Sequence, residues 1–390
     1  MHAEFLKREL LQKDIYVSTS LVSMYAKCGA FAEARRALHE LPLLPDVAAW
    51  NALIAGYSQH RRGFETLKCF EQMQSEGFLP DAVTFTCILK ACGSVGLLQK
   101  GEYIHAGIHK RGSLQNNVLL GNALVDMYVK CGVLPKAQEA FNDLPMHDVA
   151  TWNALIAGYA QHALGNKAVD CFTQMQGEGM LPDAITFTCV VKACGGIGAL
   201  KHGRLLHDRV IRSGIDVDVV ISTALIDMYA RCGSSMEAHQ AFEKAHIRNE
   251  VSWTALISAF VQDGNFELVR KCLKHMLQDG FMPDGQTFTS ILAAYSNSGR
   301  MDASYQCLES MNDVHEISPT IEHMNCIIDT LARVGHLHEA EELLQTMPMP
   351  PDSTGWVSLL TACQTYGNMG VGWQCLNEVV KMDLCGTGSY

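Results

Sequence analysis

The chain has 390 residues, of which 48% are hydrophobic and 18% charged, and its formal net charge is −11. That is apolar material enough for a large core, yet no apolar run reaches the ~18 residues that cross a bilayer. The acidic balance excludes nucleic-acid binding by overall positive charge, so such binding requires the cations to be gathered on one face.

The first twenty residues contain Glu4, Glu9 and Asp14 and resemble neither a signal peptide nor an Arg-rich transit peptide. From residue 15, IYVSTSLVSMYAKCG opens a short unit that runs to 46. The next unit, VAAWNALIAGYSQHRRGFETLKCFEQMQSEGFLPD (47–81), predicts two amphipathic helices. Trp50, Leu53, Ile54 and Tyr57 fall at i, i+3, i+4 and i+7, which is one helical face. Gly63 interrupts; Leu67, Phe70 and Met73 begin a second stripe, which Gly77 and Pro80 close. A third unit begins AVTFTCILKACGSVGLLQKG (82–117), and the short type returns as VLLGNALVDMYVKCG (118–148). The long unit recurs at 149–183 and, more loosely, at 250–284, offsets of 102 and 101 residues. Between and after these lie 184–218, 219–249, 285–320, 321–352 and a last segment, 353–390. No helix here buries its stripe alone, so neighbours must stack into a solenoid with a concave groove.

The fifteen cysteines follow the repeat. Cys28, Cys131 and Cys232 each precede a glycine; Cys69, Cys171 and Cys272 recur in a second helix; Cys87 with Cys92 recurs as Cys189 with Cys194. No pair has the C-x-x-C spacing of zinc and redox sites, so they read as small core residues in a reducing compartment. Trp50, Trp152 and Trp253 lie on the packing stripe, which favours core packing over base stacking.

With V-x-x-W-N-A-L-I, K-A-C-G and M-Y-x-K-C-G recurring, the chain resembles the pentatricopeptide repeat proteins of the plant organellar subclass with alternating P, L and S units. Tetratricopeptide repeats share the period but not these segments or the alternating lengths. The resemblance implies an all-α, right-handed superhelical solenoid of helix–turn–helix repeats. Its units are a partial L repeat (1–14), S (15–46), P (47–81), L (82–117), S (118–148), P (149–183), L (184–218), S (219–249), P (250–284), L (285–320) and S (321–352). Residues 2–12 parallel 105–115 inside an L unit, so the chain reads as beginning mid-repeat, with a targeting peptide expected upstream. Residues 353–390, with Trp356, Leu359, Leu360 and Gly367-Asn368, resemble the start of the family's E1 extension, cut short.

In the family each repeat reads one RNA base through the fifth residue of its first helix and the last residue of the unit. A carboxamide offers a donor and an acceptor to a pyrimidine edge, and a short hydroxyl leaves room for a purine. The resemblance then implies uracil for Asn51 with Asp81, Asn122 with Asp148, Asn153 with Asp183 and Asn325 with Asp352. It implies guanine for Thr19 with Asp46 and Thr254 with Asp284, and adenine for Thr223 with Asn249. The L-unit pairs Thr86 with Asn117 and Thr188 with Asp218 count as base-reading with no base named, and Thr289 with Thr320 has no clear meaning. The site so implied is single-stranded 5′-G-U-n-U-U-n-A-G-n-U-3′. An Asp at the junction is also a good N-cap for the next helix; capping alone leaves an Asn or Thr near the start of each first helix unexplained.

Lys27, Lys130, Arg231 and Arg333 end the first helix of every S unit, where they complement the helix dipole and would form an intermittent phosphate ladder. Gln59, Gln161 and Gln262 stand there in P units. The apolar second residue that clamps a base in the family is kept as Val83, Leu119, Ile185, Val220 and Val251, and replaced by Ala48, Ala150, Gln286 and Glu322.

No catalytic activity, cofactor, metal, membrane or small-molecule substrate is expected. The zinc site of the cytidine deaminase that many relatives carry needs H-x-E and a later C-x-x-C. His2-Ala-Glu4 matches the first part without the second. His336, His338 and Glu339 lack H-E-x-x-H spacing, and Gly196-Ile-Gly198 lacks the rest of a nucleotide loop. The expected role is an RNA-specificity factor for an editing or processing enzyme supplied in trans. The alternative is a protein-binding scaffold or a fragment that does not bind RNA.

Overall fold

The computed structural model describes residues 15–40, 46–110, 117–214, 218–245, 247–313 and 317–386; the partial repeat expected at 1–14 lies outside them. Among these residues every regular element is an α-helix, twenty-two in all. The chain forms two compact units, Met1–Ala193 and Cys194–Tyr390. In the first, paired helices follow one another as Ile15–Lys27 and Phe31–Glu40, Val47–Gln59 and Gly63–Ser75, Ala82–Val95 and Leu98–Lys110, Val118–Lys130 and Leu134–Asn142, then Val149–Gln161 and Gly165–Gly177. Helix Ala184–Gly196 contains the boundary. The second unit opens with Leu200–Ser213, and the pairs resume from Val219–Arg231 and Ser235–Lys244 to Ser353–Tyr366 and Met369–Gly386.

The periodicity of the sequence is the packing of the fold. Trp50, Leu53, Ile54 and Tyr57 are buried on the first helix of their repeat, and Leu67, Phe70 and Met73 on its second. Trp50, Trp152 and Trp253 are core residues: Trp152 packs edge-on to Phe141 at 4.5 Å, and Trp253 likewise to Phe242 at 4.4 Å. The indole N–H groups of Trp50, Trp152, Trp253 and Trp356 have no partner. Each orphan costs about 1–3 kcal/mol, less than the ~4–6 kcal/mol that burying an indole returns.

The K-A-C-G and M-Y-x-K-C-G segments lock to each other. A methyl group at Gly93 would lie 3.2 Å from Met127 Cα, and one at Gly101 would lie 2.5 Å from Met127 Sδ. Both glycines therefore let the methionine of the next repeat seat itself between two helices. Cys131 Sγ donates to the Cys92 carbonyl at 4.0 Å. The second unit repeats the arrangement with Gly195 and Gly203 around Met228, and with Cys232 against the Cys194 carbonyl. The tyrosine beside each methionine meets a histidine of the preceding helix, Tyr128 with His105 and Tyr229 with His207, both at 2.9 Å. Burial lowers both histidines from the ordinary value, so the neutral ring is the favoured partner.

Cysteines 69, 92, 171, 194, 272, 363 and 375 are buried, as soft core residues are. Cys28 departs from that expectation and is exposed. Burial pushes the Cys69 thiol up to about 12, which makes it a poor nucleophile.

Candidate nucleic-acid interface

Among the described residues most first helices begin at a polar residue whose side chain caps them. Asp46 accepts from Ala49 N–H at 2.8 Å, Asp81 from Thr84 N–H at 2.9 Å and Asp148 from Thr151 N–H at 2.8 Å. Asn117, Asp218, Asn249, Asp284 and Asp352 cap Leu120, Ile221, Ser252, Thr287 and Gly355 in the same way. The capping reading of these junction residues is therefore part of their role.

They have a second contact. Asp81 accepts from Asn51 Nδ2 at 2.9 and 3.0 Å, and Asp148 from Asn122 Nδ2 at 3.1 and 3.2 Å. Asp183 accepts from Asn153, and Asp352 from Asn325, each at 3.0 Å. Thr19 and Asp46 meet at 3.5 Å. Burial pushes the Asp148 and Asp183 carboxyls up, but bonds from Thr151 with Asn122, and from Thr186 with Asn153, outweigh it and hold both below the ordinary value. They are acceptors at neutral pH.

The threonine pairs differ. Thr254 reaches Asp284 through Thr287: its hydroxyl lies 2.7 Å from the Thr287 hydroxyl, which donates to Asp284 at 2.7 Å. Thr223 donates to the Val219 carbonyl, while Asn249 serves its own cap. Thr86, Thr188 and Thr289 likewise donate back to Ala82, Ala184 and Gly285. Thr320 pairs with His323 in a capping box.

Sequence reasoning missed a third member of the asparagine junctions. The Thr84 hydroxyl donates to Asn51 Oδ1 at 2.6 Å, that of Thr151 to Asn122 Oδ1 at 2.5 Å, and that of Thr186 to Asn153 Oδ1 at 2.6 Å. Its signal was available as Asp-x-x-Thr, a variant of the capping box. Each amide keeps one N–H and one lone pair beyond these bonds.

Beside Asn51 lies accessible space. Thr19, Ser23, Lys27, Asn51, Ala52 and Val83 help line a groove of about 670 Å³ in the first unit, with Asn51, 8% exposed, in its wall. Val83, Leu119, Ile185, Val220 and Val251 are large apolar residues left 51–72% exposed. That is the property a base-stacking residue requires.

The cations are less free than their spacing suggested. Lys130 pairs with Asp126 at 2.7 Å, Arg231 with Asp227 at 2.8 Å and Arg333 with Asp329 at 2.7 Å, each one helical turn back. Asp329 also accepts from Ser296 and Ser358. Lys27 has Ser23 at the equivalent place. The i, i+4 carboxylates were legible in the sequence. Among the described residues no group of three or more His, Cys, Asp or Glu could hold a metal ion, and no helix is long and apolar enough to cross a membrane.

The sequence matches the PPR repeat family profile over residues 45–94, 147–196 and 248–297, and the PPR repeat profile over 220–248, 286–313 and 322–349. Similar curated proteins include two pentatricopeptide repeat-containing proteins of Arabidopsis thaliana named as mitochondrial, one of them as putative, 34% and 33% identical, each over 96% of this chain. A third from the same plant is 32% identical over 97%. The chain spans 67%, 60% and 38% of their respective lengths. Among solved structures, the pentatricopeptide repeat protein PPR10 in complex with an 18-nt psaJ RNA element superposes with a TM-score of 0.79 at 17% identity, covering 95% of this chain and 56% of that one. PPR10 from maize gives a TM-score of 0.54 at 16% identity over 97% of this chain and 66% of that one. At these identities the likeness is one of fold.

Proposed function

The chain belongs to the PPR repeat family, and we propose from that premise that it binds single-stranded RNA by sequence in organellar RNA metabolism. The observation that carries the proposal is the repeated junction in which Asn51, Asn122 and Asn153 are each held by an aspartate and a threonine of the next helix. Capping a helix needs only the aspartate. Holding an amide at both ends, beside exposed apolar side chains, serves recognition of a planar group with a donor–acceptor edge.

In this reading the repeats contact 5′-G-U-n-U-U-n-A-G-n-U-3′, one nucleotide per unit from 15–46 to 321–352. Val83, Leu119, Ile185, Val220 and Val251 stack against bases, and Lys27, Lys130, Arg231 and Arg333 face phosphates. The chain specifies a C-to-U editing or processing site for an enzyme acting in trans. The E1-like segment, whose Trp373 is exposed, is the surface assigned to that enzyme. Relatives named as mitochondrial support placement in an organelle, the mitochondrion or the chloroplast.

A gel-shift titration of the full chain tests the proposal. It compares the stated RNA with one in which purines and pyrimidines are exchanged, at several salt concentrations, since affinity without salt dependence is uninterpretable. Preference for the first RNA is the expected result. Equal binding refutes sequence reading, and no binding leaves a protein scaffold as the function of the fold.

A further inference from the structure

A primary amide has two ends of nearly equal shape and opposite hydrogen-bonding sense: the nitrogen donates and the oxygen accepts. Uracil and cytosine differ in the same way along one edge, since a carbonyl acceptor in one stands where an amino donor stands in the other. An amide free to turn over serves both pyrimidines, whereas one held in a single orientation distinguishes them.

The junctions hold it by both ends. Asp81 accepts from Asn51 Nδ2 while the Thr84 hydroxyl, 2.6 Å away, donates to Asn51 Oδ1. Asn122 stands so between Asp148 and Thr151, and Asn153 between Asp183 and Thr186. Thr84 is completely buried, as are Thr151 and Thr186, so water does not compete for these hydroxyls. Each hydroxyl accepts the backbone N–H of its aspartate at 3.1–3.2 Å, and its one proton faces two acceptors, the amide oxygen at 2.5–2.6 Å and the aspartate Oδ1 at 2.8–3.0 Å, of which the amide is the nearer.

Asn325 is the exception. Asp352 accepts from its Nδ2 at 3.0 Å, but Gly355 occupies the threonine position, and Asn325 Oδ1 is buried with no partner. One side of that amide is fixed and the other is not.

We propose that Thr84, Thr151 and Thr186 are positioning residues for base reading: by fixing the amide of the preceding repeat they set its discrimination between uracil and cytosine. The inference rests on the base-reading assignment made above. It also ranks the repeats, with Asn325 discriminating the two pyrimidines less than Asn51, Asn122 or Asn153.

The test uses the full chain and four RNAs: the proposed ten-nucleotide site with the n positions fixed, and versions with cytosine at the second, fifth or tenth nucleotide, opposite Asn51, Asn153 and Asn325. Wild type is compared with Thr84→Val, which keeps the shape and removes the hydroxyl, and with Thr84→Ser, which restores it. Thr84→Val is expected to lower uracil-over-cytosine discrimination at the second nucleotide by roughly three- to tenfold, the worth of one neutral hydrogen bond, and to leave the fifth unchanged. Thr84→Ser is expected to recover most of it. In wild type the ratio at the tenth nucleotide is expected to be smaller than at the second. Loss of the helix cap alone would weaken all four RNAs together, so an equal fall at both nucleotides overturns the inference, as does an unchanged ratio in Thr84→Val. Wild type without any preference at the second nucleotide overturns the base-reading assignment, and this inference with it.

Discussion

Gly56 of helix Val47–Gln59 lies against Ala26 of helix Ile15–Lys27, and replacing it by alanine tests the stacking on which the groove depends. The added methyl carbon would sit 2.5 Å from Ala26 Cβ and 3.1 Å from both the carbonyl carbon and the oxygen of Ala26. Carbon atoms rest about 3.5–4.0 Å apart, so the helices would have to separate by about 1 Å. Backbone and Cβ atoms have no rotamer to relieve the overlap. Overpacking of this kind costs ~1–3 kcal/mol, against the ~0.8–1 kcal/mol that alanine gains over glycine inside a helix. Gly56→Ala should therefore destabilise by up to about 2 kcal/mol. Gly107, within helix Leu98–Lys110, would have no atom within 4 Å of an added methyl and supplies the control. Gly107→Ala should stabilise by about 0.5–1 kcal/mol. Urea unfolding followed by circular dichroism would compare midpoints, because repeat arrays need not unfold in one step. Opposite signs are expected. A midpoint that rises equally in both variants would show that the close approach to Ala26 is absent, and with it the placement of Thr19 beside Asn51 across the groove.

Three further outcomes follow from the geometry. Asn153→Thr would place a hydroxyl opposite Thr186, as Thr254 stands opposite Thr287, and should move the preference at the fifth nucleotide from uracil to guanine in competition binding; retained uracil preference would refute the assignment. Asp126→Asn combined with Asp227→Asn frees Lys130 and Arg231. RNA affinity should then rise at low salt, with the salt slope steeper by about 0.7 per cation released; an unchanged slope would place those cations away from phosphate. Burial lowers His105 and His207 below the unfolded value near 6.5, so the unfolded chain binds more protons below it. Their contribution to stability should be complete above pH 6.5 and decline as the pH falls towards their folded values. That of Asp148 and Asp183, held below 3.8, should last until the pH falls through that value. Melting temperature against pH measures both limbs, and a Tm that rises between pH 7 and 5 would contradict the first.

The fold was legible because the chain states it repeatedly. Trp50, Leu53, Ile54 and Tyr57 show a 3.6-residue stripe that recurs at 152 and 253, and each stripe is buried where the pattern places it. Half of the candidate site was legible through the resemblance, which implies Asn51 and Asp81 by their places in the repeat. The other half depends on contacts across repeats that linear spacing hides. Thr84 reads as a cap for its own helix until the structure brings its hydroxyl to Asn51, thirty-three residues earlier. Gly56 and Gly101 look like weak points in helices until Ala26 and Met127 are seen against them. The carboxylates Asp126, Asp227 and Asp329 were visible at i−4, yet a ladder of Lys130, Arg231 and Arg333 looks free if only one residue type is followed along the chain.

Those carboxylates bear on how an acidic protein would hold RNA. Each exposed pair is worth ~0–1 kcal/mol to the fold, so a phosphate approaching Lys130 or Arg231 competes with an acceptor already in place and gains correspondingly less. Base stacking, at ~1–3 kcal/mol per base, then becomes the larger contribution, and the repeats do not share it evenly. Val83, Leu119, Ile185, Val220 and Val251 present exposed apolar surface, whereas Ala48, Ala150, Gln286 and Glu322 offer little or none at the same position. On the proposed reading, the second and fifth nucleotides face repeats that begin with Ala48 and Ala150 and carry fully held amides on Asn51 and Asn153. Selectivity and affinity would thus be divided unevenly: the units that begin with Ala48 and Ala150 choose a base through an amide fixed at both ends while their neighbours supply the stacking, and the 118–148 unit, with Asn122 and Leu119, does both.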